Sequence, residues 1–286
     1  LPLITRHLKK NSTVVRAMAL ILVMTLIGAA LIWRERDWQI FQCDVGQGDA
    51  LLVRTSDASA ILIDVGPDPE LIDHCLRDAK IREISLLVIT HGHADHYGGV
   101  EGVIRGRTVH NLWLGVDPRG LSLSAREFLH NRLRVEPRQV AEGDHYRIGK
   151  VEIDVLWPKV DLPDFFPDSP GDGSELNNQS VVLMMEKDGA LIFAGGDIEP
   201  PVQEMIAMEY DLSRVDIYKV SHHGSRYRSA NFDSELNPRL ALISVGVQNR
   251  YGHPAPETLQ ALAPAMIHRT DLDGSARITW WPLQVK

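Results

Sequence analysis

Short apolar runs separated by clusters of Gly, Pro and Asp dominate the chain from residue 38 onward, a pattern typical of many short strands. It predicts strands in WQIFQCDVG, DALLVRT, AILIDVG, ISLLVIT, VEIDVLW, SVVLMMEK, ALIFAGG, VDIYKVS, LALISVG and ARITWW. It predicts helices over residues 70–79, 98–104, 124–133, 201–208 and 256–262, and a long loop over residues 160–178. Strands interspersed with helices favour an α/β domain of two sheets covered by helices over an all-β sandwich.

An uncharged stretch, AMALILVMTLIGAALIW over residues 17–33, precedes that pattern and has the length of a short bilayer-spanning helix. By the positive-inside rule, the N-terminal side is cytoplasmic, because four basic residues come before the stretch: Arg6, Lys9, Lys10 and Arg16. A signal peptide and a buried core helix are the alternatives, although no clean cleavage site is evident. We expect a membrane segment at residues 1–36, the end of a larger membrane region, followed by one domain at residues 37–286.

Charge and cysteine content narrow the choice of partners and of metal sites. The formal net charge of −8 argues against a chain-wide basic surface for duplex DNA but allows a local basic patch. Only Cys43 and Cys75 are present, without a C-x-x-C motif, so a zinc site built from Cys is excluded. A single disulfide between these two cysteines is possible, but we expect two buried free thiols.

The stretch T-H-G-H-A-D-H-Y-G-G at residues 90–99 follows directly on a predicted buried strand, where α/β sheets place their sites. Its three imidazoles and one carboxylate cannot all enter an apolar core without partners: His91, His93, Asp95 and His96. Imidazole and carboxylate are ligands that zinc and manganese accept. A solvent-exposed His-rich loop is the alternative, and the strand before the motif and the Gly pair after it argue against that alternative.

Two further polar clusters also follow predicted strands. Asp197 ends the segment A-G-G-D, and His222 and His223 lie in S-H-H-G-S after VDIYKV. Each cluster alone is compatible with an ordinary surface turn. Three polar clusters at the ends of three apolar strands predict one site in which they converge.

Together these motifs resemble the metallo-β-lactamase superfamily: H-x-H-x-D-H after one strand, G-D after a later strand and His at the end of another. Further segments resemble the C-terminal domain of the ComEC family, the bacterial membrane channels for uptake of single-stranded DNA. These segments are D-V-G-Q-G-D-A at 44–50, I-D-V-G at 63–66, N-N-Q-S-V-V-L at 177–183, K-V-S-H-H-G-S at 219–225 and Y-G-H-P at 251–254. The resemblance runs from about residue 38 to the C-terminus, and it implies a four-layer αββα sandwich preceded by one transmembrane helix.

The resemblance also implies a site for two divalent metal ions, manganese or zinc. By position in the motifs, the first metal would be held by His91 and His93 and the second by Asp95, His96 and His222, with Asp197 bridging the two. The matching S-H-H-G-S-R-Y motif of tRNA-maturing nucleases favours His222 over His223 as the ligand.

Other residues of the motifs take supporting roles under this resemblance. His223 and His253 would be free to contact phosphate or to protonate the leaving oxygen, and with Asp95 they are the catalytic candidates. Asp64 is expected behind the metal ligands. Most superfamily members supply a third His to the first metal where this chain has Asn177 and Asn178. Asn178, like Asp64, is the candidate either for a metal ligand or for a residue that supports the ligands. An amide oxygen is a harder, weaker donor than imidazole, so the first site should favour manganese or bind its metal loosely.

Basic and aromatic residues beside the site motifs are the candidates for substrate binding: Ser225, Arg226, Tyr227, Arg228 and Arg250. Basic side chains bind phosphates and aromatic rings stack on unpaired bases, which suits a single DNA strand better than a duplex. An ordinary solvated loop is the alternative for these charges.

We therefore predict a metal-dependent nuclease, or more broadly a phosphodiesterase, on the extracytoplasmic side of the plasma (inner) membrane. It would degrade the DNA strand that is not taken up. Its partners would be DNA, the membrane and the upstream channel part of the same protein. Two alternatives stay open: another hydrolase of this fold (a lactonase, a β-lactamase or a phosphorylcholine esterase), and a non-catalytic gating module that binds metal only for folding.

Overall fold

The computed structural model describes residues 15–25, 38–116, 118–160 and 174–286. The chain divides into two units, residues 1–38 and residues 39–286. In the first unit, residues 15–25 form a helix, α1. Within the described residues no helix has the length and apolar character needed to cross a membrane, so the predicted spanning helix has no support there. Residues 26–33 of that prediction lie outside the described residues.

The second unit contains the strands and the remaining helices of the described chain. Its strands are β1 (Ile40–Gln42), β2 (Leu51–Ser56), β3 (Ser59–Ile63), β4 (Glu83–Ile89), β5 (Thr108–Val109), β6 (Leu112–Gly115), β7 (Pro137–Val140), β8 (His145–Ile148), β9 (Val151–Trp157), β10 (Val182–Lys187), β11 (Ala190–Ala194), β12 (Ile217–Lys219), β13 (Leu240–Ile243), β14 (Met266–Arg269), β15 (Ala276–Thr279) and β16 (Gln284–Val285). Its helices are α2 (Pro69–Asp78), α3 (Ala94–Tyr97), α4 (Val100–Val103), α5 (Leu123–Leu133), α6 (Ser174–Asn177), α7 (Pro200–Glu209), α8 (Ala230–Glu235), α9 (Pro256–Ala261) and α10 (Thr270–Asp273), with 3₁₀ turns at Pro118–Gly120 and Ser221–Gly224.

The strands form two mixed sheets. In the first, the order is β16-β15-β1-β2-β3-β4-β6-β7, with β5 beside β4. In the second, the order is β14-β13-β12-β11-β10-β9-β8. Strands β3, β4, β6 and β7 are parallel to one another, as are β11 to β14, so their carboxyl ends share an edge of each sheet. Loops that leave those ends carry the candidate residues.

An apolar core fills the space between the two sheets. Alternate residues of a strand point to opposite faces, and Leu51 and Val53 of β2 enter this core together with Val88 of β4. From the second sheet, Ile153 and Ile192 enter the same core. The two sheets are therefore packed face to face.

Helices cover the outer faces of both sheets. In the second sheet, α7, α8 and α9 connect successive parallel strands. Ile206 of α7, Phe232 of α8 and Leu262, directly after α9, are buried in one cluster with Phe193. In the first sheet, α2 connects parallel β3 and β4 and buries Ile72. The layers are helices, sheet, sheet, helices, which confirms the predicted αββα arrangement of the second unit.

The long apolar runs predicted their elements well, and the short amphipathic ones did not. Strand β9 occupies the predicted residues, and α2 begins one residue early because Asp68 accepts a hydrogen bond from the Glu70 backbone N–H at 2.7 Å. The sequence pattern missed β5 to β8, β14, β16, α3, α8 and α10. Within the predicted loop at 160–178, residues 174–177 form α6, and residues 161–173 lie outside the described residues.

Cys43 and Cys75 form a disulfide, so the expectation of two free thiols was wrong. Their Cα atoms are 5.7 Å apart, and 32 residues of sequence separate them. Both are buried, because Cys43 follows β1 and Cys75 lies on the inner face of α2. The bridge therefore ties the loop after β1 to the helix layer beside it.

We expect Phe232→Ala to destabilise the domain by about 3–5 kcal/mol, because it removes a large buried side chain and leaves a cavity. Phe232 is fully buried, and its ring centroid lies 5.6 Å from that of Phe193 and 6.1 Å from that of Tyr218. The free energy of unfolding in urea measures the loss. Leu123→Ala is the control, because Leu123 is 79% exposed and should change stability by less than about 0.5 kcal/mol. Equal effects of the two variants would contradict the assigned helix layer.

Candidate metal centre

The loop after β4 brings three histidines and an aspartate to the carboxyl end of the first sheet. His91 and His96 are buried, while His93 and Asp95 are half-buried. The short helix α3 begins directly after His93 and turns the backbone back on itself. Gly99 permits this turn, because a Cβ there would clash with the carbonyl oxygen of Val65. The predicted H-x-H-x-D-H cluster is therefore held together by local backbone structure.

Asp197 lies at the middle of the cluster, directly after β11 of the second sheet. Its Oδ2 is 3.9 Å from His91 Nε2, 3.3 Å from His96 Nε2 and 3.5 Å from His223 Nε2. Burial raises the pKa of Asp197, but the charges of His96 and His223 lower it well below its usual range. The carboxylate is thus ionised, and side chains from both sheets converge on it.

His91 and His93 adjoin each other on one side of Asp197. His91 Nε2 is 3.0 Å from His93 Nδ1, and the two rings meet edge to face. Burial lowers the pKa of His91 well below its ordinary value, and the charge of His96 lowers it further. Burial likewise lowers the pKa of His93. Neutral imidazoles have a lone pair available for a cation, so the pair predicted for the first metal has the required chemistry.

Asp64 lies behind His96 and orients it. Asp64 Oδ2 accepts from His96 Nδ1 and from the Thr90 hydroxyl, each at 2.8 Å, and Asp64 Oδ1 accepts from the Thr90 backbone N–H at 2.8 Å. Since Nδ1 is the donor, Nε2 of His96 faces Asp197. This is the supporting position that the sequence predicted for Asp64.

At the adjacent histidines the structure differs from the prediction. His223 is buried, and its Nε2 is 3.3 Å from Asp95 Oδ2, so His223 belongs to the cluster with Asp95, His96 and Asp197. His222 is half-buried in the cavity wall, with its Nδ1 3.2 Å from Glu199 Oε1. Both histidines have positive φ, 49° and 54°, which directs their side chains differently from those of a regular turn. The side-chain geometry therefore supports His223 as the ligand and does not support the preference for His222.

Of the two adjacent asparagines, the structure brings Asn177 rather than the candidate Asn178 to the cavity. Asn178 Oδ1 accepts from the Glu199 backbone N–H at 2.9 Å, and its carbonyl accepts from Trp157 Nε1 at 2.7 Å, so Asn178 supports the fold. Asn177 lines the cavity beside His93. Its Nδ2 donates to Glu199 Oε1 at 3.0 Å. The amide that reaches the centre is therefore Asn177.

The cluster forms the floor of an open cavity of about 210 Å³. His253 lies in its wall, with its ring centroid 5.3 Å from that of His222, and burial together with the charges of His222 and His223 lowers the pKa of His253 to about 4. Gln47 and Tyr251 also line the cavity. His222, His223 and His253, which the sequence predicted to bind metal or contact phosphate, thus all line the same cavity.

The predicted substrate-binding residues are not part of the cavity wall. Ser225 accepts from the Tyr227 backbone N–H at 3.1 Å, and Arg228 Nη1 pairs with Asp233 at 3.0 Å, so Ser225 and Arg228 support the loop. Arg226 and Arg250 are exposed, as is Tyr227. They lie on the two loops that also carry His223 and His253.

Sequence reasoning left three buried residues of the site without a role. Glu199, two residues after Asp197, contacts His222 and Asn177. Asp49 pairs with Lys219 behind His223. Asp49 and Lys219 belong to the quoted motifs at 44–50 and 219–225, and Glu199 lies two residues after Asp197, so their place in or beside the motifs was the available signal.

Residues 43–122 match the metallo-beta-lactamase superfamily. The chain is 28% identical over 263 residues to the ComE operon protein 3 of Bacillus subtilis, which covers 83% of this chain and 32% of that protein. It is 28% identical over 249 residues to the competence protein ComA of Neisseria gonorrhoeae, which covers 84% of this chain and 32% of that protein. The matched segment at 43–122 contains the H-x-H-x-D-H motif, so the similarity to this superfamily includes the metal-binding loop after β4. The chain's predicted resemblance to competence proteins is confirmed, and it spans about a third of the length of these curated relatives.

The fold of the second unit is similar to that of the diiron β-hydroxylase CmlA from Streptomyces venezuelae. The TM-score is 0.56 at 14% identity, and the match covers 84% of this chain and 54% of that chain. At this identity the similarity concerns the fold alone. The chemistry of the domain has to be argued from its own residues.

The donor set of the domain fits divalent cations. Several of its buried atoms have no hydrogen-bond partner within the described residues: His96 Nε2, Asn177 Oδ1, Asp197 Oδ1 and His223 Nε2. Leaving such atoms unsatisfied is costly, and a cation bound between them would satisfy them. Imidazole nitrogens and carboxylate oxygens within 4.8 Å of one another are the ligands that zinc and manganese accept.

We expect His223→Ala to weaken binding of the second divalent ion by more than about tenfold and His222→Ala to leave it nearly unchanged, because only His223 directs a nitrogen at Asp95 and Asp197. Elemental analysis after dialysis against limiting Mn²⁺ or Zn²⁺ measures the difference. The opposite order of the two variants would restore the sequence-based choice of His222.

Proposed function

We propose that this metallo-β-lactamase domain is a metal-dependent nuclease, more broadly a phosphodiesterase, of a DNA-uptake channel protein, and that it degrades the strand that is not transported. The observation that carries the proposal is the convergence of His91, His96 and His223 on the ionised Asp197 at the floor of an open cavity. The similarity to two competence proteins supports DNA as the substrate class.

The residues that would hold two divalent ions, manganese or zinc, are His91, His93, Asp95, His96, Asp197 and His223, with Asn177 beside the first ion. Ions bound there would supply Lewis acidity towards a phosphoryl oxygen and a water molecule. The chain's own contribution is orientation, because Asp64 holds His96 and buried contacts hold His223. His222 and His253 face the same cavity and would donate hydrogen bonds to a phosphodiester.

A single DNA strand suits the mouth of the cavity. Tyr251 is 71% exposed at the mouth, and its ring is stacked on His253 with centroids 5.7 Å apart and planes at 30°. An exposed aromatic ring stacks on a base only when that base is unpaired. Arg226 and Arg250 lie on the adjoining loops, where they would contact the phosphates of the same strand.

We place the domain on the extracytoplasmic side of the plasma (inner) membrane. The Cys43–Cys75 disulfide supports an oxidising compartment. The basic residues before the apolar stretch at 17–33 support a cytoplasmic N-terminal side and a membrane anchor that would continue the upstream channel part of the same protein.

Two other functions are compatible with the fold. Another hydrolase, such as a lactonase, a β-lactamase or a phosphorylcholine esterase, would use the same metal ligands with a different cavity entrance. The exposed Tyr251 at the entrance favours a substrate with unpaired bases over the substrates of those enzymes. A non-catalytic gating module would bind metal without turnover, and the open cavity above the cluster speaks against that. Assays of the purified chain on single-stranded DNA, bis-p-nitrophenyl phosphate and a chromogenic β-lactam separate the three.

We expect Asp95→Ala and Asp197→Ala each to lower the kcat of manganese-dependent phosphodiester cleavage more than about 100-fold, because each removes a metal ligand. Cleavage of a labelled single-stranded oligonucleotide measures it. Asp154→Ala is the control, because this carboxylate on β9 is 56% exposed and remote from the cavity. Cleavage that survives both ligand substitutions would rule out the proposed centre.

We expect Tyr251→Ala to raise the KM for a single-stranded oligonucleotide about tenfold, because it removes one base-stacking ring, and Tyr251→Phe to keep the wild-type KM. The KM for an oligonucleotide with abasic sites should change little in either variant. Tyr227→Ala is the matched control, since Tyr227 does not line the cavity. Identical effects on intact and abasic strands would contradict a stacking role.

A further inference from the structure

A buried ion pair, Asp49–Lys219, lies behind the metal centre and has no role in the mechanism above. Lys219 Nζ donates to Asp49 Oδ1 at 2.6 Å, and both side chains are 4% exposed. A buried ion pair contributes little net stability, because the loss of hydration of two charges offsets their attraction. Stability alone is therefore a weak explanation for two charges in this position.

Asp49 contacts Nδ1 of His223, the ring nitrogen that the contacts with Asp95 and Asp197 do not use. His223 Nδ1 is 3.1 Å from Asp49 Oδ1 and 2.9 Å from the carbonyl oxygen of Ser244. Both neighbours are hydrogen-bond acceptors, so Nδ1 is the donor. Nε2 is therefore the nitrogen that faces the carboxylates of Asp95 and Asp197, 3.3 Å and 3.5 Å away.

The ion pair also joins the two sheets at the site. Asp49 lies in the connection between β1 and β2 of the first sheet, and Lys219 ends β12 of the second. The connection is fixed by Ser244, whose hydroxyl donates to the Gly48 carbonyl at 2.7 Å. At Gly48 a Cβ would clash with the carbonyl oxygen of Asp95, so this connection packs directly against the metal-binding loop.

We propose that Asp49 and Lys219 are positioning residues that hold His223 with Nε2 directed at the second metal ion. Lys219 fixes the Asp49 carboxylate, and the carboxylate fixes the ring. Carboxylate partners of this kind orient metal-bound histidines, and their loss weakens metal binding about 10- to 100-fold. The inference rests on the proposed function only in requiring that the centre binds metal.

The test replaces the whole ion pair by apolar residues of similar size, because removing one member would leave a buried, uncompensated charge. In the full chain, D49L/K219M should keep the fold by circular dichroism and lose about 10- to 100-fold in affinity for one of two Mn²⁺ ions by titration calorimetry. The absorption spectrum of the Co²⁺-loaded chain should change, since it reports on the ligand geometry.

A second variant isolates the hydrogen bond from the charge. In D49N/K219M the amide oxygen still accepts from His223 Nδ1, so its Mn²⁺ affinity should fall between those of the wild type and D49L/K219M. The matched control is D73L/R107M, which removes another buried ion pair, 2.7 Å long with side chains 7% and 4% exposed. That variant should retain wild-type Mn²⁺ affinity and the wild-type Co²⁺ spectrum.

The outcomes of these experiments distinguish failure of the positioning role from failure of the proposed nuclease function. Wild-type metal affinity in D49L/K219M, or an equal loss in D73L/R107M, overturns the positioning role and leaves the nuclease proposal intact. Metal binding by the wild type without phosphodiester cleavage overturns the nuclease proposal and leaves the positioning role to be decided by the variants. A wild type that binds no Mn²⁺ or Co²⁺ overturns both.

Discussion

The contact of three imidazoles with one buried carboxylate oxygen is the interaction on which the rest of this site depends. Asp197 comes from the second sheet, His91 and His96 from the first, and His223 from the next strand connection of the second. A lone ionised carboxylate in such a place would be strongly unfavourable, because burial removes its hydration. Positive charge around it, whether on the imidazoles or on a bound cation, is therefore a condition for the two sheet edges to meet at this point.

The sequence pattern predicted the strands and helices whose formation depends on residues close together in the chain. The seven-residue segment Val151–Trp157 alternates apolar and charged residues before its apolar end, buries its apolar side chains and is recognisable as a strand. The Asp68 cap defines the start of α2. Strand β8 has alternately exposed side chains and only four residues, so its existence depends on pairing with β9 rather than on its own composition. The disulfide was equally undetermined, because sequence alone does not state that Cys43 and Cys75 come within 5.7 Å.

The metal-binding loop could be read from sequence because its members lie within six residues, whereas the choice between adjacent residues could not. His222 and His223 both adopt positive φ, and the contacts that decide their directions come from Glu199 and Ser244, which are distant in sequence. The two adjacent asparagines differ for the same kind of reason. The backbone N–H of Glu199 donates to Asn178 Oδ1 and holds that side chain in the fold, while Asn177 lines the cavity. A motif fixes which residue types are present, and long-range packing decides which of two neighbours faces the cavity.

The site has two parts with different consequences for function. The buried floor determines which ions and which reacting group it accepts, and its donors are nitrogen and oxygen atoms suited to hydrolytic metals. The fold itself does not determine the reaction, since a diiron hydroxylase has a similar one. Substrate choice therefore depends on the mouth, where Tyr251 and His253 offer flat aromatic faces and the arginines stand outside the cavity. A mouth of this kind supplies stacking close to the centre and charge further away. It suits the proposed single strand if one base stacks on Tyr251, one phosphate reaches the floor and the neighbouring phosphates meet the arginines.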